Sequence, residues 1–136
     1  MKSVPFTVGM SASAEAIVDD SNTAAAMRSG SLPVFATPSM IALMEQAACS
    51  CLEVCLGEGQ TSVGTEISVE HTAASPPGAR ISATAAIESV QGRKVVFLVT
   101  ASDDTGEIGS GKHTRIIIDT ERFMKKAESR RQGDGV

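Results

Sequence analysis

Glu45 and His71 are the side chains of this sequence whose type and surroundings best suit them to act on a reacting group. One helical turn from Glu45 lie Ile41, Ala48 and Cys49, with Leu52 two turns on, so its carboxylate leaves the helix from an apolar side, where a charge needs a partner or a purpose. His71 falls on the apolar row of an alternating segment, with Val63, Thr65, Ile67 and Val69. A carboxylate and an imidazole that converge provide a nucleophile or base together with a proton carrier, and Thr37 can orient one of them. Each also has a plainer reading: a boundary Glu whose head reaches water, a His satisfied within a core, and a Thr that caps a helix. Thr37 and Glu45 are eight residues apart, about 12 Å along a straight helix at 1.5 Å per residue. Both serve one centre only if the chain bends back before Pro38 or if the centre lies between two subunits.

The elements that carry these residues are legible from their periods. Thr37 as cap and Pro38 at the first helical position predict a helix from there to about residue 56, with Met40, Met44, Ala47, Ala48, Cys51 and Cys55 on its buried side and Gly57 as its stop. Residues 4–10 and 12–18 predict a strand or a broken pair, residues 23–27 a short helical turn, and residues 28–31 a mobile connection. After the helix come four alternating runs, 61–72, 81–87, 95–101 and 108–118, separated by turn residues such as Ser75-Pro76-Pro77-Gly78 and Gln91-Gly92. Read as consecutive neighbours, they make an antiparallel meander curled around the one apolar helix, an α+β fold.

Composition removes several function classes. A chain of 136 residues is expected to form a single domain over 1–136, with 121–136 a basic C-terminal tail. It has no Trp or Tyr and only four Phe, so stacked aromatic platforms for single-stranded nucleic acid are excluded. A net charge of -4 also argues against a nucleic-acid partner. No apolar run reaches membrane-spanning length, and a soluble cytoplasmic protein is expected. The three cysteines, Cys49, Cys51 and Cys55, read as small apolar filler, and no metal site is expected. Gly106 to Lys112 imitates the start of a phosphate-binding loop. However, His113 stands where a Ser or Thr belongs and Thr114-Arg115-Ile116-Ile117-Ile118 continues as strand, so the glycines are better read as points of close approach.

Val34-Phe35-Ala36-Thr37-Pro38-Ser39-Met40 ahead of Glu45, Thr61-Ser62-Val63-Gly64-Thr65, Val69-Glu70-His71-Thr72-Ala73-Ala74-Ser75-Pro76-Pro77-Gly78 and Ile108-Gly109-Ser110-Gly111-Lys112-His113 together closely resemble the fluoroacetyl-CoA thioesterase-like group of hotdog-fold thioesterases, over residues 32–123. The resemblance implies a hotdog acyl-CoA thioesterase needing no cofactor, with Thr37, Glu45 and His71 catalytic. It places Gly64, with Phe35 and Val63, against the substrate, and it implies a homodimer with its sites at the subunit interface. The aromatic residues that the fluoroacetyl-CoA enzyme carries before this motif are absent from Met27-Arg28-Ser29-Gly30-Ser31, so a short or medium acyl-CoA is the expected substrate. The rivals on this scaffold are a non-catalytic acyl-CoA binding protein and a dehydratase or hydratase.

Overall fold

The computed structural model describes residues 5–133. Strand β1 (Ser11–Ile17) is followed by a one-turn helix α1 (Ala24–Met27) and the long helix α2 (Thr37–Glu53). Strands β2 (Gln60–His71), β3 (Arg80–Gln91), β4 (Lys94–Asp103) and β5 (Gly106–Asp119) come next, and helix α3 (Thr120–Gln132) closes the chain. All strand pairings are antiparallel, in the order β1-β3-β4-β5-β2. The sheet lays one face on α2, burying Ala83, Ala85, Val95, Phe97 and Val99 against Met40, Met44, Ala47 and Leu52. This is the hotdog arrangement expected from the motifs.

Two features of the sheet differ from the sequence reading. Only β3, β4 and β5 form a meander; β2 crosses to the far edge and pairs with β5. The cause is the connection after His71: residues 72–79 are too long for a hairpin, and Ser75 is buried there with its hydroxyl donating to Asp103 at 2.7 Å, which carries the chain across to begin β3 beside β1. Alternation along β2 also breaks once. Gly64 pairs with Arg115 and Glu66 with Thr114, which leaves Thr65 as an extra residue in a bulge. Ahead of the bulge, Ser62 and Gly64 therefore share the helix-facing side with Ile67, Val69 and His71, and Val63, opposite Ile116, turns to the outer side.

The helix ends are also adjusted. Ala36 rather than Thr37 is the N-cap of α2, with no side-chain cap, so the Thr37 hydroxyl is released for another partner. The helix stops at Glu53, ahead of Gly57, leaving Cys55 buried just beyond it. In the N-terminal segment only Ser11–Ile17 is strand, Thr7 to Met10 forming a turn, and residue 4 lies outside the described residues. The one-turn helix α1 is present, capped by Thr23. The connection after it is pinned by backbone bonds from Ala24 to Val34 at 2.8 Å and from Ala25 to Leu32 at 3.1 Å. The glycines of β5 act as close-approach points. A Cβ at Gly109 would come within 2.7 Å of the Met40 sulfur, and one at Gly111 would strike the Ser68 carbonyl. Burial and the neighbouring Cys55 push the Cys51 thiol's pKa up, as suits unreactive filler.

Candidate active site

The candidate residues fall into two pairs. At one end of β2, Thr37 Oγ1 lies 2.8 Å from His71 Nδ1. The released first-turn hydroxyl meets a ring that the strand turns toward the helix, so Thr37 orients His71 instead of capping α2. The other ring nitrogen, Nε2, is buried and has no hydrogen-bond partner among the described residues. A hollow of about 280 Å3 opens beside the pair, lined by Ala24, Ser29, Val34, Phe35, Ala73 and Ala74 among others. Phe35 is itself nearly fully buried.

Near the start of β2, Glu45 reaches across to Gly64. A Cβ at Gly64 would sit 2.9 Å from Glu45 Oε2, 3.0 Å from His113 Cε1 and 3.2 Å from Arg115 Nη1. Glycine is thus what leaves room for the carboxylate. Arg115 Nη1 is 3.7 Å from the same oxygen, and His113 Nε2 4.0 Å. Arg115 and His113 are buried, whereas the Glu45 side chain keeps 42 % of its exposure, so the carboxylate is anchored from below and open from above.

The buried cation is well held. Arg115 Nε donates to Ser62 Oγ at 2.8 Å, Nη2 donates to the Ser62 carbonyl at 3.1 Å, and Nη1 meets His113 Nε2 at 3.1 Å. Because a guanidinium only donates, His113 Nε2 accepts here, and Nδ1 carries the hydrogen given to the Glu66 carbonyl at 2.8 Å. Ser62, Arg115 and His113 thus form a fixed base that aims one guanidinium nitrogen at Glu45. Sequence reasoning missed all three as site residues. The available signal was the row of alternate residues on β5, with His113 and Arg115 on the face of Gly109 and Gly111, but the bulge had to be known before that face could be tied to Gly64 and Glu45.

The two pairs do not meet within the chain. Gly64 and His71 are seven residues apart on one strand, about 20 Å at 3.3 Å per residue once the bulged Thr65 is left out of the extension. Glu45 contacts Gly64, and Thr37 contacts His71.

Burial lowers the His71 pKa below its ordinary value of 6.5, opposed by the backbone of Ala73, which approaches the ring without satisfying Nε2. The neutral ring is the one the fold prefers. Its contribution to stability is complete above pH 6.5 and is lost as pH falls through the lowered folded value. NMR titration of the ring should accordingly give a midpoint below 6.5, with melting temperature declining in that acid window; a midpoint at or above 6.5 would contradict the buried setting.

Comparison with known proteins identifies the family. The family described as fluoroacetyl-CoA-specific thioesterase matches residues 18–121, which include both pairs and the Ser62, His113 and Arg115 base. The fluoroacetyl-CoA thioesterase of Streptantibioticus cattleyicolor is 44% identical over 97 residues, 71% of this chain and 70% of that protein. A solved fluoroacetyl-CoA thioesterase superposes with a TM-score of 0.88 at 36% identity, covering 93% of this chain and 98% of that one. A hot-dog-like protein from Thermanaerovibrio acidaminovorans gives 0.85 at 28% identity, covering 92% and 93%. The family match over residues 18–121 and the 44% identical relative place this chain in the fluoroacetyl-CoA-specific thioesterase family, as a hotdog enzyme that hydrolyses thioesters.

Proposed function

We propose that the chain is a homodimeric hydrolase of short or medium acyl-CoA thioesters whose catalytic centre is composite, joining Thr37 and His71 of one subunit to Glu45 and Gly64 of the other. The separation of the two pairs along β2 carries this reading: a carboxylate seated at Gly64 and a histidine about 20 Å further along the strand do not converge on one thioester. The free edge of β2 supplies the means. Two copies pairing antiparallel about a twofold axis at Ser68 set residue 69 against 67 and 70 against 66. Because Thr65 is an extra residue, His71 then falls opposite Gly64, on the same side of the sheet. A long unpaired edge is also a liability that a second copy removes.

In that centre the thioester carbonyl lies over Gly64, where the missing side chain admits it. Glu45, aimed by Arg115, attacks the carbonyl carbon directly or takes the proton of an attacking water. A backbone N–H at the bulge stabilises the developing oxyanion. The C–S bond breaks, and the proton that water releases is carried by His71 Nε2 to the CoA sulfur while Thr37, hydrogen-bonded to Nδ1, holds the ring; where Glu45 has attacked directly, water then cleaves the mixed anhydride. Water is consumed, and a free acid and CoA leave. The acyl group extends into the hollow beside Phe35, Val34 and Ala74.

An acyl-CoA panel from acetyl to palmitoyl, with loss of thioester absorbance as the readout, tests the reading. The expected result is turnover with an optimum among the short or medium chains. An optimum at palmitoyl would overturn the chain-length reading, and intact thioester across the panel, from folded dimer, would overturn the function.

A further inference from the structure

The thioesterase reading leaves the far end of the substrate without a seat, and the end of the sheet nearest Glu45 offers one. Beyond Arg115, strand β5 ends at Asp119 and turns into α3, a helix with no buried residue. The β3–β4 hairpin tip is drawn against the same place, the Arg93 carbonyl accepting from the Ile117 amide at 2.9 Å. Between hairpin, strand end and helix lies a hollow of about 150 Å3 lined by Arg93, Ile118, Asp119, Arg122, Phe123 and Lys126.

Its walls have two characters. Ile118 and Phe123 form an apolar side, and Phe123 is 39% exposed, an open ring face in a chain that has few of them. Arg93, Arg122 and Lys126 form the other, and among the described residues none has a carboxylate within ion-pair reach. The single acid there, Asp119, is occupied in accepting from the Arg122 amide at 3.0 Å. Such a cationic cluster runs against the chain's net charge of -4. Drug-sized ligands fill ~300–1,000 Å3, so this hollow suits one ring system at the end of a longer molecule, with anionic groups at its rim. Ile118 is three residues along β5 from Arg115, about 10 Å, and lies on the outer side, so a flexible arm leaving Glu45 reaches the hollow by rounding the end of the sheet.

We infer that this hollow seats the adenosine 3′-phosphate diphosphate end of the CoA substrate, the purine lying on Phe123 and Ile118 and the phosphates meeting Arg93, Arg122 and Lys126. The inference rests on the thioesterase reading, but its test does not need turnover. Calorimetric titration of the intact protein with adenosine 3′,5′-bisphosphate and with CoA should give binding that weakens at least about tenfold in the double variant Arg93→Glu/Lys126→Glu. The matched double variant Arg80→Glu/Lys112→Glu makes the same change of charge at distant exposed positions and should bind as wild type does. Equal weakening in both pairs would mean a general field effect and overturn the site; undiminished binding in the first pair would overturn it too. Phe123→Ala should weaken the bisphosphate and leave inorganic pyrophosphate unaffected, and equal losses for both would overturn the purine's placement. Loss of bisphosphate binding in a protein that hydrolyses no acyl-CoA would support the seat and remove the thioesterase reading. Turnover with binding undiminished in the first pair would do the reverse.

Discussion

Glu45→Gln is expected to lower kcat/KM on the best acyl-CoA by at least about a thousandfold, since it removes the carboxylate seated at Gly64 and with it the group that attacks or deprotonates. Gln is nearly isosteric, and the Glu45 side chain is 42% exposed, so no core is opened and no buried charge is created. Arg115 keeps its bonds to Ser62 and His113, which leaves the anchor beneath the variant side chain intact. A melting temperature and a native mass close to wild type should therefore accompany the loss. Turnover within tenfold of wild type would show that Glu45 is not the reacting group, and the Arg115 base would then need another purpose.

The second prediction concerns where the two halves of the centre come from. Glu45→Gln and His71→Ala should each be inactive alone, yet unfolding and refolding them together should restore activity. In a mixed dimer one centre combines both lesions and the other combines the intact Glu45 of one chain with the intact Thr37 and His71 of its neighbour. Random reassortment makes half the dimers mixed, with one good centre of two in each, so about a quarter of wild-type activity is expected. If each subunit held a complete centre, no mixture of the two would exceed the separate variants, and the composite reading would fail. Only a composite centre rescues, which makes this test sharper than either substitution by itself.

The sequence carried the fold's parts well and their arrangement less well. The apolar period of α2 and the alternation of β3, β4 and β5 come from burial on one face, which a sequence displays directly. The position of β2 beside β5 comes from a connection that ignores the nearest-neighbour tendency, and nothing local in residues 72–79 announces where they lead. Glu45 and His71 were recognisable because each is a titratable group set among apolar residues. Thr37 was recognisable in kind, but its capping role and its His71 bond compete for one hydroxyl, and only three-dimensional placement shows that Ala36 takes the cap. Arg115 and His113 were hidden because a basic pair on a strand ordinarily reads as a solvated edge, and their burial depends on Ser62, more than fifty positions away.

Thr65 gives the edge strand a shift of phase. Upstream of it the even-numbered side chains look toward the helix, and downstream the odd-numbered ones do. An uninterrupted strand could not present Gly64 and His71 on one side, because the interval between them is odd. The extra residue therefore acts like a half-step in a ruler, bringing two marks of opposite parity into line. What must be kept at this position is a count rather than a chemistry: exchanging the Thr65 side chain leaves the phase alone, while removing the residue would send Ser62 and Gly64 to the outer side and strand Arg115 without its anchor.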